Sequence, residues 1–195
     1  MTDETLELDP ARTALVLIDL QKGVVGMPVV PHTAEEVVDR SRRLAERFRA
    51  VGATVVLVRV SFAPGGADAL KAPTDAGPMS GERPADWDEI VPQLGPEPGD
   101  VVVTKRNWGA FYGTDLELQL RRRGVETIVL GGIATNFGVE STARDAAERA
   151  YSLVLVEDAM GARSAEAHRF AVENIFPRLG RVRSAEQVLM ALADR

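Results

Sequence analysis

Apolar runs of strand length alternate with amphipathic stretches along most of the chain. Ala14-Leu15-Val16-Leu17-Ile18 is a continuous β-prone run that ends in Asp19. Further runs follow at residues 54–60, 101–104, 127–130 and 153–156, with a weak sixth at Arg181-Val182-Arg183. Runs apolar at every position suit strands buried on both faces, the pattern of a parallel sheet covered by helices on each side. The intervening stretches carry helix punctuation. Thr33-Ala34-Glu35-Glu36 reads as a capping box opening a long helix that stops near Gly52. Thr114 caps a helix running to Arg123 and Gly124, and another spans about 138–150. Ser164 opens a helix that Pro177 is expected to stop, and Ser184 opens the last. This alternation predicts an α/β fold: a single doubly wound, Rossmann-like domain over 1–195, with a six-stranded parallel sheet flanked by helices on both faces.

One stretch breaks the rhythm. Residues 63–99 contain Pro64, Pro73, Pro78, Pro84, Pro92, Pro96 and Pro98 and are too long for a routine connection. They read as a lid or a subunit-contact arm, anchored by Trp87 and Ile90.

Composition narrows the function. The 195 residues are 45% apolar and 27% charged, enough for one packed core. A net charge of −6 argues against nucleic acid or an anionic membrane as partner. Arg121-Arg122-Arg123 reads as a solvated helix end. Met1-Thr2-Asp3-Glu4 lacks the apolar segment of a secretory signal, and no run is long enough to span a membrane, so a cytoplasmic protein is expected. The chain has no cysteine, which excludes disulfides, thiolate metal sites and a cysteine-bound acyl intermediate.

In open parallel sheets, ligands gather beyond the carboxyl ends of the strands. Three such ends carry suggestive residues: Asp19 after the first strand, Lys105 after the third, and the turn Gly131–Gly138 after the fourth. A lysine beside a carboxylate is a recurring way to tune a general acid or base. Trp108-Gly109-Ala110-Phe111 follows the lysine and can pack in the core, wall a pocket, or both. His32 and His168 lie far apart, show no metal-ligand spacing, and read as structural or surface residues, so no metal is expected. There is no Gly-x-Ser-x-Gly elbow, phosphate loop or dinucleotide fingerprint.

Four segments in register resemble the isochorismatase-like hydrolases of the cysteine hydrolase superfamily: Leu17-Ile18-Asp19-Leu20-Gln21; Thr104-Lys105 with Trp108-Gly109-Ala110-Phe111; Gly131-Gly132-Ile133-Ala134-Thr135-Asn136 through Thr142-Ala143-Arg144-Asp145-Ala146; and Glu157-Asp158-Ala159. Most members cleave C–N bonds with an Asp, Lys and Cys triad. The resemblance implies Asp19 and Lys105 as catalytic residues and leaves Gly138 at the nucleophile position. It implies a cis peptide between Ile133 and Ala134 in an oxyanion-binding turn, and a substrate pocket formed by Gln21, Trp108, Phe111 and Asn136. It implies a small-molecule substrate, no cofactor, and a homodimer or higher homo-oligomer.

True isochorismatases also carry glycine at the cysteine position and cleave a vinyl ether by acid catalysis. Asp19 could serve as that acid if burial raised its pKa against the opposing pull of Lys105. This chain departs from them in having Ala134 where they have Tyr, and Phe62-Ala63-Pro64-Gly65 without their preceding Gln. The segment from Thr135 to Thr142 looks like the cysteine branch with its nucleophile removed. Two functions are therefore expected: acid-assisted hydrolysis, or a binding module that keeps the pocket without turnover. A zinc nicotinamidase is disfavoured by the absent histidine ligands and thiol.

Overall fold

The computed structural model describes residues 6–76 and 83–192. Pro78 and the first four residues lie outside them. Six strands form one sheet: β1 (Thr13–Ile18), β2 (Thr54–Val60), β3 (Val101–Lys105), β4 (Thr127–Ile133), β5 (Ser152–Gly161) and β6 (Arg181–Arg183). All pairings are parallel, in the order β3-β2-β1-β4-β5-β6. The order reverses between β1 and β4, so the strand ends diverge there and leave a crevice.

The helices are α1 (Lys22–Val25), α2 (Ala34–Ala50), α3 (Leu116–Arg122), α4 (Glu140–Glu148), α5 (Ala165–Phe170), α6 (Phe176–Leu179) and α7 (Ala185–Ala191). Successive strand residues point to opposite faces, and the two faces feed two cores. Leu15, Leu17, Val55, Leu57, Val129 and Val154 pack on one side with Val37, Leu44 and Phe48 of α2 and Val188 of α7. Val16, Ile18, Val56, Val58, Val103 and Leu130 pack on the other with Leu116 and Leu120 of α3 and Ala143 and Ala146 of α4. This two-sided burial is why the strands read as unbroken apolar runs.

The caps at Thr33 and Ser184 form full capping boxes, and Ser164 accepts from the Ala167 amide. Pro177 does not end the helix begun at Ser164. The chain passes through a π turn at Ala171–Ile175 and continues as α6, with the proline in its first turn. There a missing N–H costs nothing, because that group would be unpaired anyway. The four-residue α1 has no hydrophobic period and is invisible to pattern reading.

The described part of the 63–99 stretch is tied down beside the end of β1. The Val91 amide donates to the Leu20 carbonyl (3.1 Å), the Gly23 amide to the Trp87 carbonyl (2.8 Å), and Gln21 bridges to Ile90. Lys22 reaches both Asp86 (2.8 Å) and Glu89 (2.7 Å). Trp87 stacks on Phe62 beneath the Arg83 guanidinium.

Candidate active site

Asp19 is the first residue past β1, with its backbone in the left-handed region (φ 53°), which short polar side chains tolerate. Its amide still continues the ladder, donating to Val58 (2.8 Å). Lys105 ends β3, two strands away, and its register partner is Val60 of the intervening β2. The lysine stem crosses the end of β2 and brings Nζ to 2.8 Å from Asp19 Oδ2. Nζ also donates to the Asn107 carbonyl (3.1 Å). Both side chains are buried. Asp19 Oδ1 is buried as well and has no hydrogen-bond partner among the described residues.

Burial and the lysine act on the Asp19 carboxyl in opposite directions, and burial is the stronger. Desolvation pushes its pKa up to about 6, against the charge and hydrogen bond of Lys105 and the Val60 backbone amide, which pull it down. Oδ2 is held by the ammonium, and Oδ1 is left without a partner.

The turn after β4 closes the crevice. The Ile133–Ala134 peptide is cis. Thr135–Val139 form one π-helical turn that leads into α4. The Ala134 carbonyl accepts from the amides of Phe137 (3.1 Å) and Val139 (3.2 Å), so those two N–H groups serve the turn and not a substrate oxygen. An ideal Cβ placed on Gly138 would sit 2.9 Å from Ile18 Cγ2, 3.2 Å from Asp19 Oδ2 and 3.4 Å from the Trp108 carbonyl. The space over residue 138 is thus filled by the acid itself and its strand neighbour. The glycine permits that close approach. A Gly138→Ala variant is expected to lose about 1–3 kcal/mol through overpacking, checked by chemical denaturation.

The residues expected to line a pocket divide. Trp108 (64% exposed) and Phe137 (40%) meet edge to face at 4.8 Å at the mouth of the site. Asn136 is half-buried in the turn. Gln21 and Phe111 are engaged inside the protein. The Gln21 amide is fully used by backbone, accepting from Val60 N (2.8 Å) and donating to the carbonyls of Val60 (3.0 Å) and Trp87 (3.3 Å). It pins the arm to β2. Phe111 is buried in the core, tilted against Tyr151 at 6.0 Å with Arg149 over its ring. A groove of about 500 Å³ bounded by Val25, Val38, Asp39, Arg42 and Val91 involves none of Asp19, Lys105 or Gly138.

Pattern reading missed Thr142. Its hydroxyl donates to the Gly138 carbonyl (2.7 Å) and accepts from the Ala110 amide (3.1 Å), locking the turn to the loop after β3. A threonine four residues beyond a helix-start glycine is the available signal, since Thr hydroxyls bond back to the i−4 carbonyl. The two histidines, far apart in the sequence, meet in the fold. His32 and His168 pack edge to face at 6.1 Å, and His168 Nδ1 lies 2.9 Å from Thr135 Oγ1 inside the turn. Burial first, and the charge of His32 second, hold the His168 pKa below its usual value.

These elements match known proteins along nearly the whole chain. The isochorismatase domain model matches residues 13–187. The isochorismatase family protein YecD of Escherichia coli O157:H7 is 54% identical over 187 residues, covering 96% of this chain and all of that one. The structure of an isochorismatase family protein from Burkholderia thailandensis superposes with a TM-score of 0.92 at 49% identity, covering 96% of this chain and 98% of the other. The ureidoacrylate amidohydrolase RutB of Methylobacterium radiotolerans is 34% identical over 196 residues, covering 88% of this chain and 76% of its own. The six-stranded all-parallel sheet and these relatives together define the class: a hydrolase of the isochorismatase type. The chain belongs to the isochorismatase family, and it is a member without cysteine.

Proposed function

We propose that this family hydrolase works by acid catalysis, with Asp19 as proton donor and Lys105 as the residue that positions it, on a small molecule bearing a vinyl ether. The carrying observation is a buried carboxyl group with one oxygen held by Lys105 and the other unpartnered, its pKa pushed up to about 6 by burial. Such a group still holds part of its proton near neutrality, as a general acid must.

The chemistry follows. Asp19 Oδ1–H protonates the terminal carbon of the double bond, whose π electrons form the new C–H bond. The resulting oxocarbenium ion takes up water, and the proton released returns to the Asp19 carboxylate. The hemiketal then breaks its C–O bond to give a ketone and an alcohol, so one water is consumed. No covalent bond to the protein forms, which is consistent with glycine at position 138. Lys105 keeps Oδ2 fixed and stabilises the carboxylate left after proton transfer. Trp108 and Phe137 offer apolar faces to the substrate.

A second reading, binding without turnover, draws on the internally satisfied Gln21 amide and turn N–H groups, which leave few polar contacts for a reacting substrate.

The pH profile on a panel of small vinyl ethers separates the two. The active form is Asp19-H, so kcat/KM is expected to be level below about pH 6 and to fall about tenfold per unit above it. A rate that rises with pH through this window would overturn acid catalysis. Saturable binding with no turnover anywhere on the panel would favour the binding module.

A further inference from the structure

A second cluster of reactive side chains lies behind the turn. His32 sits just ahead of α2, Glu157 lies in β5 and His168 in α5. One ligand atom from each lies within 4.8 Å of the other two. His32 Nε2 and Glu157 Oε2 are already 3.7 Å apart. A tetrahedral zinc with bonds of about 2.0–2.2 Å holds its ligand atoms about 3.4 Å apart. Closing the cluster around a cation therefore asks for a few tenths of an ångström on one edge and roughly 1.4 Å at most on another. His32 and Glu157 are partly exposed and can rotate by that much. His168 is the buried, fixed member.

The chemistry of the donors agrees with the geometry. Two imidazoles and one carboxylate are a zinc donor set that leaves a fourth position for water. Thr135 Oγ1 occupies His168 Nδ1. That leaves Nε2 as the nitrogen able to take a metal, with the hydroxyl fixing ring orientation and tautomer as outer partners of metal-bound histidines do.

We infer that His32, Glu157 and His168 form a site for a divalent transition metal of the zinc class, clamping the loop before α2, β5 and α5 against the turn that contains Thr135. The site is separate from the Asp19–Lys105 pair and supplies no step of the proposed hydrolysis. It stands or falls independently of that reading. Thr135 is three residues from Gly138, so a metal held there braces the turn that packs on the acid.

Full-length protein stripped with a chelator and titrated with Co²⁺ tests this, because tetrahedral Co²⁺ with nitrogen and oxygen ligands absorbs in the visible. The expected result is one Co²⁺ per chain, displaced by one equivalent of Zn²⁺, with a rise in Tm when Zn²⁺ is present in excess. His32→Ala and Glu157→Gln change partly exposed side chains. Each is expected to weaken binding at least tenfold while the circular dichroism of the fold is retained. Thr135→Val is expected to weaken it by about 10–100-fold. Absence of saturable Co²⁺ binding, or binding that both His32→Ala and Glu157→Gln leave unchanged, overturns the inference.

Discussion

Asp19→Asn is expected to lower kcat/KM on any turned-over substrate by about 10²–10⁴-fold, the usual contribution of a positioned general acid. The amide keeps the shape of the carboxyl group and cannot give up a proton to carbon. The same substitution strips a buried ammonium of its counter-charge, since Lys105 keeps only the Asn107 carbonyl. The sign with pH follows from the direction of the shift. The folded-state pKa of Asp19 is raised to about 6 from 3.8, so the native state holds a proton that the unfolded chain releases. The stability Asp19 contributes is full below about pH 4 and is lost as pH rises through 6, by about 3 kcal/mol in all. The Asn variant lacks this dependence, so the cost of Asp19→Asn is largest below about pH 4 and shrinks by about 3 kcal/mol as pH rises through 6. Denaturant melts at pH 5 and pH 8 check this. Adding Lys105→Met removes the ammonium that Asp19→Asn leaves without a carboxylate, and is expected to raise stability above that of Asp19→Asn without restoring activity, which separates the catalytic loss from the structural one.

Gly132→Ala is expected to be the most damaging single change to the fold. Gly132 holds φ 123°, a conformation that L side chains rarely adopt. A Cβ there would overlap the backbone carbonyl and amide of Ile18 on the neighbouring strand. Backbone of a central strand cannot step aside as a side-chain tip can. The two costs, conformational and steric, are expected to total more than about 3 kcal/mol. For a chain of this size that lowers Tm by roughly 10 °C. The damage lands between Asp19 and the π turn, so any variant that folds is expected to lose activity as well. Thermal melts with paired rate measurements check both.

The sheet was legible because its central strands are buried on both faces, and an unbroken apolar run of four or five residues has few other uses. Asp19 and Lys105 were legible as polar residues at the ends of such runs, where a parallel sheet opens. What escaped depended on contacts between distant segments. Gln21 reads as a polar residue beside the acid, yet β2 and the arm fold back and consume its amide. Phe111 faces α4 and Tyr151, and nothing in its own neighbourhood says so. Pro177 reads as a stop only when one continuous helix is assumed, and the π turn before it restarts the count. His32, Glu157 and His168 come from three elements and share no spacing that a motif could encode. The contest between burial and Lys105 over the acid's proton is set by the depth of the site. The residue types name the two forces without giving their sizes.

The account turns on a carboxyl group that keeps its proton to near neutrality beside an ammonium. Site-resolved carboxyl ¹³C titration of Asp19, assigned by comparison with Asp19→Asn, measures that directly. A midpoint near 6 is the predicted result. A midpoint at or below 4, the range of an ordinary or salt-bridged aspartate, would mean that Lys105 outweighs burial and that Asp19 holds no proton to give.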